Sequence, residues 1–328
     1  MNQREVNCPD CHPALDRREF VKLVGGAAVA SGVLPLVGGA RPATAAPTPN
    51  SPAETAVKRF YDLLSYKQRQ TVCFPFDHPL REKISANWHI TEPAIGDDFY
   101  TGDQRQAIQD ILRGVTSEDG YRRFLRQMED DAGGFDQYNV AVFGTPGSGK
   151  FQWEMTGRHL TVRADGDSVS GAAFGGPIIY GHGESDPSKN LFHYQTKAAN
   201  AVFEALDAPQ REAALLENAP AESQVPLQGG SGKFPGIAVG SLSADQQELA
   251  ESVIKVILAP YRTEDVDEAL ATLKRGGALE KLRMAFYRSG DLNDDQVWDI
   301  WRLEGPTFVW HFRGAPHVHT YVNIGTDG

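Results

Sequence analysis

The sequence predicts an α+β fold, an antiparallel sheet with helices packed around it, after an N-terminal export signal. Three observations lead there. Apolar residues recur at helical spacing up to Gly133-Gly134 and then alternate. Helical and strand-like stretches stay in blocks instead of alternating unit by unit, which favours α+β over α/β. Residues 1–45 carry the parts of an export leader in order.

The leader begins with DRREFVK (Asp16 to Lys22), in which the adjacent Arg17-Arg18 followed by Phe20 resembles a twin-arginine signal. A weakly hydrophobic run, LVGGAAVASGVLPLVGGA, follows. Ala43-Thr44-Ala45 then offers small residues for cleavage before Ala46. This predicts a periplasmic or extracellular protein whose partner in export is the twin-arginine machinery. That route carries folded proteins and is often used when a cofactor is loaded first. Cys8-Pro9-Asp10-Cys11-His12 has the C-x-x-C-H spacing of a haem attachment, but it precedes the twin arginines in the part to be removed. Cys73 is then the one cysteine of the mature chain, so no internal disulfide forms, and its Phe-Pro-Phe surroundings predict a buried thiol.

Residues 46–55 (APTPNSPAET) read as a linker, and residues 56–328 as a single α+β domain. Ser51 or Thr55 is placed to cap a helix reaching about Tyr66. The stretch from Leu80 to Asp131 reads as mostly helical. In it Ile108, Ile111 and Leu112 share one face, and Tyr121, Phe124, Leu125 and Met128 another. Strands are expected at YNVAVFG, FQWEM, RHLTVRADG and SVSGAAFGG, joined by glycine-rich turns. Helix returns from Asn190 to about Leu216, residues 218–235 are a loop, and Ser243 with Gln246 forms a capping box for the next helix. Further helix covers Val266 to about Arg288, before three last strands in VWDIWRL, TFVWHF and HVHTYVNI.

The formal charge is -11, and residues 1–45 contribute five Lys/Arg against four Asp/Glu, leaving the remainder near -12. Such a surface repels phosphate backbones and argues against a nucleic-acid partner. No apolar run approaches the roughly 20 residues of a bilayer span, so no stable membrane span is expected after cleavage.

Gly144, Gly149 and Lys150 fit G-x-x-x-x-G-K, nearly a phosphate-binding loop. Phe151 stands where a Ser or Thr would hold magnesium, and strand-like sequence follows where a helix is needed. The segment therefore reads as a hairpin turn. Asp291, Asn293, Asp294 and Asp295 resemble part of a calcium loop but lack its central Gly and closing Glu, so a solvated turn is expected. No G-x-S-x-G elbow is present. Glu154 and Asp165 are acid/base candidates that nothing in the sequence pairs.

Pro316-His317-Val318-His319 is the sharpest chemical feature. On a strand, residues two apart share a face, so two imidazoles stand side by side, a common arrangement for a transition metal. His159 is a third ligand candidate. His311 and Glu304, on or beside the preceding strands, are further ones, and His182 in a glycine-rich loop is a weaker one. The competing reading is a sheet face whose histidines bond to carboxylates or stack on Trp301 and Trp310.

The chain resembles the family known as domain of unknown function 3500, found in bacteria and fungi. The likeness covers most of the mature chain and is best from Trp153 onward. Its landmarks are Gly157-Arg158-His159-Leu160 (Gly-His-His-Leu is usual), Phe174-Gly175-Gly176-Pro177, the run LSADQQELAESVI from Leu242, Glu304-Gly305-Pro306-Thr307 and His317-Val318-His319-Thr320. The resemblance brings no activity with it. It implies a functional site around His159, His317 and His319, with His311 in reserve where Arg158 replaces the family's first histidine.

Together these readings point to an exported metal-dependent enzyme or metal-binding protein, hydrolytic or redox, with zinc, copper or iron on His159, His317 and His319 and Glu304 or His311 nearby. The alternative is a metal-free protein that binds a sugar or other small-molecule ligand on a platform of Trp298, Trp301, Trp310 and Tyr321.

Overall fold

Ser51 closes a turn, its amide donating to Thr48 O at 2.9 Å, and Pro52 opens the first helix, where its fixed φ and missing N–H carry no penalty. The structure, a computed structural model, describes residues 46–292 and 295–326. The expected leader in residues 1–45, the C-x-x-C-H motif in it, and Asn293 and Asp294 of the calcium-like turn lie outside the described residues. Eight α-helices and an 11-stranded, mostly antiparallel sheet make this an α+β fold among the described residues.

The N-terminal helices are α1 (Pro52–Leu63), α2 (Tyr66–Val72), α3 (Gly102–Gly114) and α4 (Glu118–Ala132). α1 ends at Leu63 because Ser65 starts a new helix, capped by a Ser65/Gln68 capping box. α3 and α4 bury the expected faces, with Ile108, Ile111, Leu112, Phe124 and Met128 removed from solvent. Helix does not extend back to Leu80. Residues 83–101 are irregular, because Pro93 and Gly96 interrupt any helical hydrogen-bond ladder there. Gly133, at φ 85, stops α4 in the left-handed conformation that glycine tolerates.

The strands β1 (Cys73–Phe74), β2 (Asn139–Gly144), β3 (Phe151–Gly157), β4 (Leu160–Ala164), β5 (Ile178–His182), β6 (Leu215–Leu216), β7 (Ile237–Ala238), β8 (Arg283–Tyr287), β9 (Ile300–Gly305), β10 (Phe308–Arg313) and β11 (Val318–Ile324) lie in the order β1-β2-β3-β4-β5-β11-β10-β9-β8-β6, with β7 also on β8. β1 (Cys73–Phe74) and β6 (Leu215–Leu216) join in parallel, whereas every other pairing is antiparallel. β2 (Asn139–Gly144) and β3 (Phe151–Gly157) enclose the glycine-rich segment as a hairpin turn, in which the Thr145 amide donates to the Lys150 carbonyl at 3.2 Å. β4 (Leu160–Ala164) follows as expected, but SVSGAAFGG is a turn region rather than a strand. Phe174 at φ 60 and Gly175 at φ 69 break the extended path, and the strand forms just beyond as β5 (Ile178–His182).

Helix resumes as α5 (His193–Ala205) and α6 (Ala208–Ala214), split at Leu206 because Asp207 caps the second with Gln210 and Pro209 stands in its first turn. After β7 (Ile237–Ala238), α7 (Ala244–Leu258) has the expected Ser243/Gln246 capping box. α8 (Thr263–Arg275) ends at Gly276-Gly277, well before Arg288. RMAFY becomes β8 (Arg283–Tyr287), an apolar run whose period does not separate strand from helix. β9 (Ile300–Gly305), β10 (Phe308–Arg313) and β11 (Val318–Ile324) complete the sheet.

Cross-strand register divides the sheet into two faces. Tyr180, Thr320, Phe312, Trp301 and Phe286 lie opposite one another across five strands, on the face carrying α5 and α7. Tyr180 Oη donates to Gln195 of α5, and Phe203 packs edge-on against Phe286. The other face is polar, with Glu154, Arg163, Tyr321, His311 and Arg302 along it. It is buried beneath irregular segments whose carbonyls accept its arginines. Arg163 Nη1 donates to Arg81 O at 2.7 Å and Arg302 Nη2 to Gln224 O at 2.6 Å, while Ala86 and Val225 pack on Ile179, Val309 and Tyr321. No helix among the described residues is long and apolar enough to cross a membrane.

Candidate metal centre

His159 sits in the two-residue turn between β3 and β4, at φ 56, a region sparsely populated by residues with a Cβ. The turn is held in place. The His159 amide donates to Ala86 O at 2.6 Å, and the preceding Arg158 carbonyl accepts from Tyr138 Oη at 2.7 Å and Gln127 Nε2 at 3.0 Å. β11 reaches β5 across a gap that only glycine permits. A Cβ on Gly181 would stand 2.2 Å from Val318 O and 3.3 Å from His159 Cβ. This close approach brings the turn against the start of β11, where His317 and His319 project from one face.

The three imidazoles converge. One ligand atom from each of His159, His317 and His319 lies within 4.8 Å of the others, and their ring centroids are 4.7–5.1 Å apart. His159 is buried and the other two partly so. Two outer carboxylates orient the rings. His159 Nδ1 donates to Asp131 Oδ2 at 2.7 Å, and His319 Nδ1 donates to Glu222 Oε2 at 2.8 Å. An ionised carboxylate only accepts, so it fixes the proton on Nδ1 and leaves a lone pair on Nε2. Both carboxylates stay ionised. Burial pushes each upward, but hydrogen bonds from His159, Gln127 and the Gly183 amide hold Asp131 below its ordinary range, and His319 with Arg313 does the same for Glu222.

The Nε2 atoms of His317 and His319 are 3.0 Å apart, and Arg313 Nη2 is 3.2 Å from His317 Nε2. These contacts conflict. With the lone pair of His319 Nε2 turned inward, His317 Nε2 either accepts from Arg313 and faces another lone pair, or donates to His319 and faces the arginine's N–H. A cation among the three nitrogens would take the lone pairs that face each other at His317 and His319, provided that Arg313 Nη2 turned away from His317 Nε2. Two nitrogens each at the zinc–imidazole distance from one tetrahedral ion are roughly 3.3 Å apart. The His317–His319 pair already has nearly that spacing, and the whole three-atom group spans up to 4.8 Å. His317 and His319 are also held neutral, as ligands must be. Burial, reinforced by His319 and Arg313, pushes His317 down to about 4, and burial outweighs Glu222 in lowering His319.

His311 and Glu304 lie on the same face but outside this group. Arg313, not His311, is the residue opposite His319, and His311 falls one same-face position further along, opposite Tyr321. There it is fully buried and accepts from Arg302 Nε at 3.4 Å, and burial pushes it down to about 3. Glu304 is another strand away, where it accepts from Gln228 Nε2 at 3.0 Å and faces Arg302. His182 ends β5 instead of lying in a flexible loop, and is buried with Nε2 donating to Asp130 at 3.2 Å. Glu154 pairs with Arg163 in the core, where burial raises it to about 7. Asp165 accepts from the Val169 amide, and burial raises it to about 6.

The tryptophan platform does not form. Trp301 and Trp310 are fully buried, packed edge-on with Phe312 stacked on Trp301, and Trp298 and Tyr321 are buried too. Removing such rings from water stabilises the sheet by about 2–3 kcal/mol each, and that outweighs any use as an exposed surface. Cys73 is half-buried with its thiol pushed up to about 12, mainly by burial, so it is an inert thiol.

The residues that sequence reasoning missed are Asp131, Glu222 and Arg313. Asp131 and Glu222 lie 28 and 97 positions from the histidines they hold, and neither stands in a motif.

The comparisons agree with the motifs around these residues. Residues 47–324 match the family described as Protein of unknown function (DUF3500). The chain belongs to that family. No curated protein and no solved structure matches the chain. Membership in this DUF3500 family fixes kinship across almost all the described residues, and the chemistry of the site rests on its geometry.

Proposed function

We propose that this DUF3500 protein is exported by the twin-arginine route and holds a transition metal on His159, His317 and His319 as a metal-dependent hydrolase. One observation carries the reading. Two of the three histidines give Nδ1 to an ionised carboxylate, which leaves Nε2 of each free to share an ion with the third, within the 4.8 Å that the ligand atoms span. Carboxylate–histidine pairs of this kind orient metal ligands and raise their basicity. Three neutral imidazoles suit zinc, copper or iron, and such an ion supplies a Lewis acid that polarises a water or a substrate oxygen.

The chain's own groups would divide the work. Asp131 and Glu222 keep the ligand tautomers. Arg313, paired with Glu222 at 2.9 Å, points a second N–H at the centre, where it can donate to an oxygen that gains negative charge. Export is supported by the order of the leader's parts in residues 1–45.

The test is metal content by mass spectrometry on protein exported through its native route, beside a His317→Ala/His319→Ala double variant. Near-stoichiometric zinc, lost in the variant, is expected. Copper or iron in its place would turn the reading to redox chemistry. Wild-type protein that takes up no metal after reloading would overturn the reading.

A further inference from the structure

Residues 218–235, in the connection between β6 and β7, contain no helix or strand beyond a single 3₁₀ turn at Gly229–Ser231. Connections of that length are uncommon inside a compact domain, and ordered ones usually serve function. This one lies as a strap across the polar sheet face, and little apolar packing holds it. Val225 is its one buried residue, packed with Val309 and Tyr321. The other ties are polar. Val225 O accepts from Asn323 Nδ2 at 2.8 Å, Gln224 O accepts from Arg302, and Gln228 donates to Glu304. Glu222 is the strap's one acidic residue, and it connects the strap to the metal centre. Its Oε2 accepts from His319 Nδ1 at 2.8 Å, and its Oε1 pairs with Arg313 Nη1 at 2.9 Å. A segment with so few buried contacts opens locally without unfolding the sheet beneath it.

We propose that residues 218–235 form a metal-responsive strap, latched over the site by Glu222 when an ion occupies the three histidines and released when the ion leaves. The inference rests on the metal reading above. An ion on Nε2 of His319 draws electron density from the ring, which makes Nδ1–H a stronger donor to Glu222. Opening the strap parts Glu222 from His319 and so removes an outer-shell partner, a loss that weakens metal affinity by about 10–100-fold. Coupling between two equilibria is reciprocal. A saturating ion therefore makes that opening rarer by the same factor, about 10–100-fold. The polar face around His319 is covered when the site is loaded and uncovers more often when it is empty, which favours entry of the ion.

Amide hydrogen exchange read by mass spectrometry, on mature protein stripped of zinc and on the same protein reloaded to saturation, tests this. The Gln224 and Val225 amides, which donate to Ala221 O at 3.0 Å and Ser223 O at 3.1 Å, report the opening. In wild type, zinc should slow exchange across residues 219–228 by about 10–100-fold. In Glu222→Ala, brought to the same zinc content at higher free zinc, the slowing should shrink to less than about threefold. Unchanged exchange in β2 and β3 verifies that the variant is folded. Zinc-loaded wild type with no slowing in the strap, or a Glu222→Ala variant that slows as much as wild type, overturns this inference alone. A wild-type protein that takes up no zinc overturns the metal reading, and this inference falls with it.

Discussion

Replacing Asp131 by Asn keeps the shape of the outer shell and changes only which protons it can accept. Asp131 Oδ2 accepts from His159 Nδ1 at 2.7 Å and from Gln127 Nε2 at 2.7 Å, while Oδ1 accepts from the Gly183 amide at 2.7 Å. An asparagine has one acceptor and one donor end. If its oxygen keeps the Gly183 amide, its NH₂ faces His159 and Gln127, both of which were donors. His159 must then move its proton to Nε2, the nitrogen that faces His317 and His319. Binding a metal would first have to undo that tautomer. Loss of an outer-shell partner weakens metal affinity by about 10–100-fold, which is about 1.4–2.7 kcal/mol. Competition with a chromophoric chelator on mature wild-type and Asp131→Asn protein measures this directly. An affinity within about twofold of wild type would refute the reasoning, because it would mean that Asp131 does not set the His159 tautomer.

Other consequences can be measured independently. Gly181→Ala should destabilise the fold by about 2–4 kcal/mol in chemical denaturation, since its Cβ would collide with Val318 O and press on His159. It should weaken metal binding as well, through the displaced turn. Burial raises Asp265 to about 7, and burial with nearby Asp165 and Asp265 raises Glu268 to about 8. A carboxyl raised in the folded state binds its proton more tightly there than when unfolded, so stability is fully present at acidic pH and falls as pH climbs through the folded value. The melting temperature should therefore be lower at about pH 8 than at about pH 5, and Glu268→Gln should reduce that difference.

Legibility in the sequence followed the range of the interactions. Local signals held: the Ser243/Gln246 capping box, the Gly133-Gly134 stop, the hairpin at Gly144 to Gly149, and the shared face of His317 and His319. Where a segment's form depends on distant neighbours, the pattern misled. Residues 83–101 fall in the stretch expected to be mostly helical yet lie as irregular backbone over the polar sheet face, with Trp88 and Ile90 packed against Ala141 and Phe143. β5 and β8 are short apolar runs that become strands only because β11 and β9 are there to pair with them. The convergence of His159 with the C-terminal pair was expected from motifs, but its supports were not. Asp131 sits at a helix end and Glu222 in a loop, and only the folded chain places them behind the imidazoles. The tryptophans misled for the opposite reason, since aromatic residues on alternating strands serve a core as readily as a binding surface, and here Trp301 and Trp310 form the core.

X-ray absorption at the edge of the bound metal, recorded on protein exported through its native route, tests the central claim most directly. The account predicts the scattering pattern of three imidazoles around each ion, and no absorption edge above background in the His317→Ala/His319→Ala variant. An ion whose surroundings contain no imidazole scattering, or a protein with no absorption edge after reloading, would contradict it.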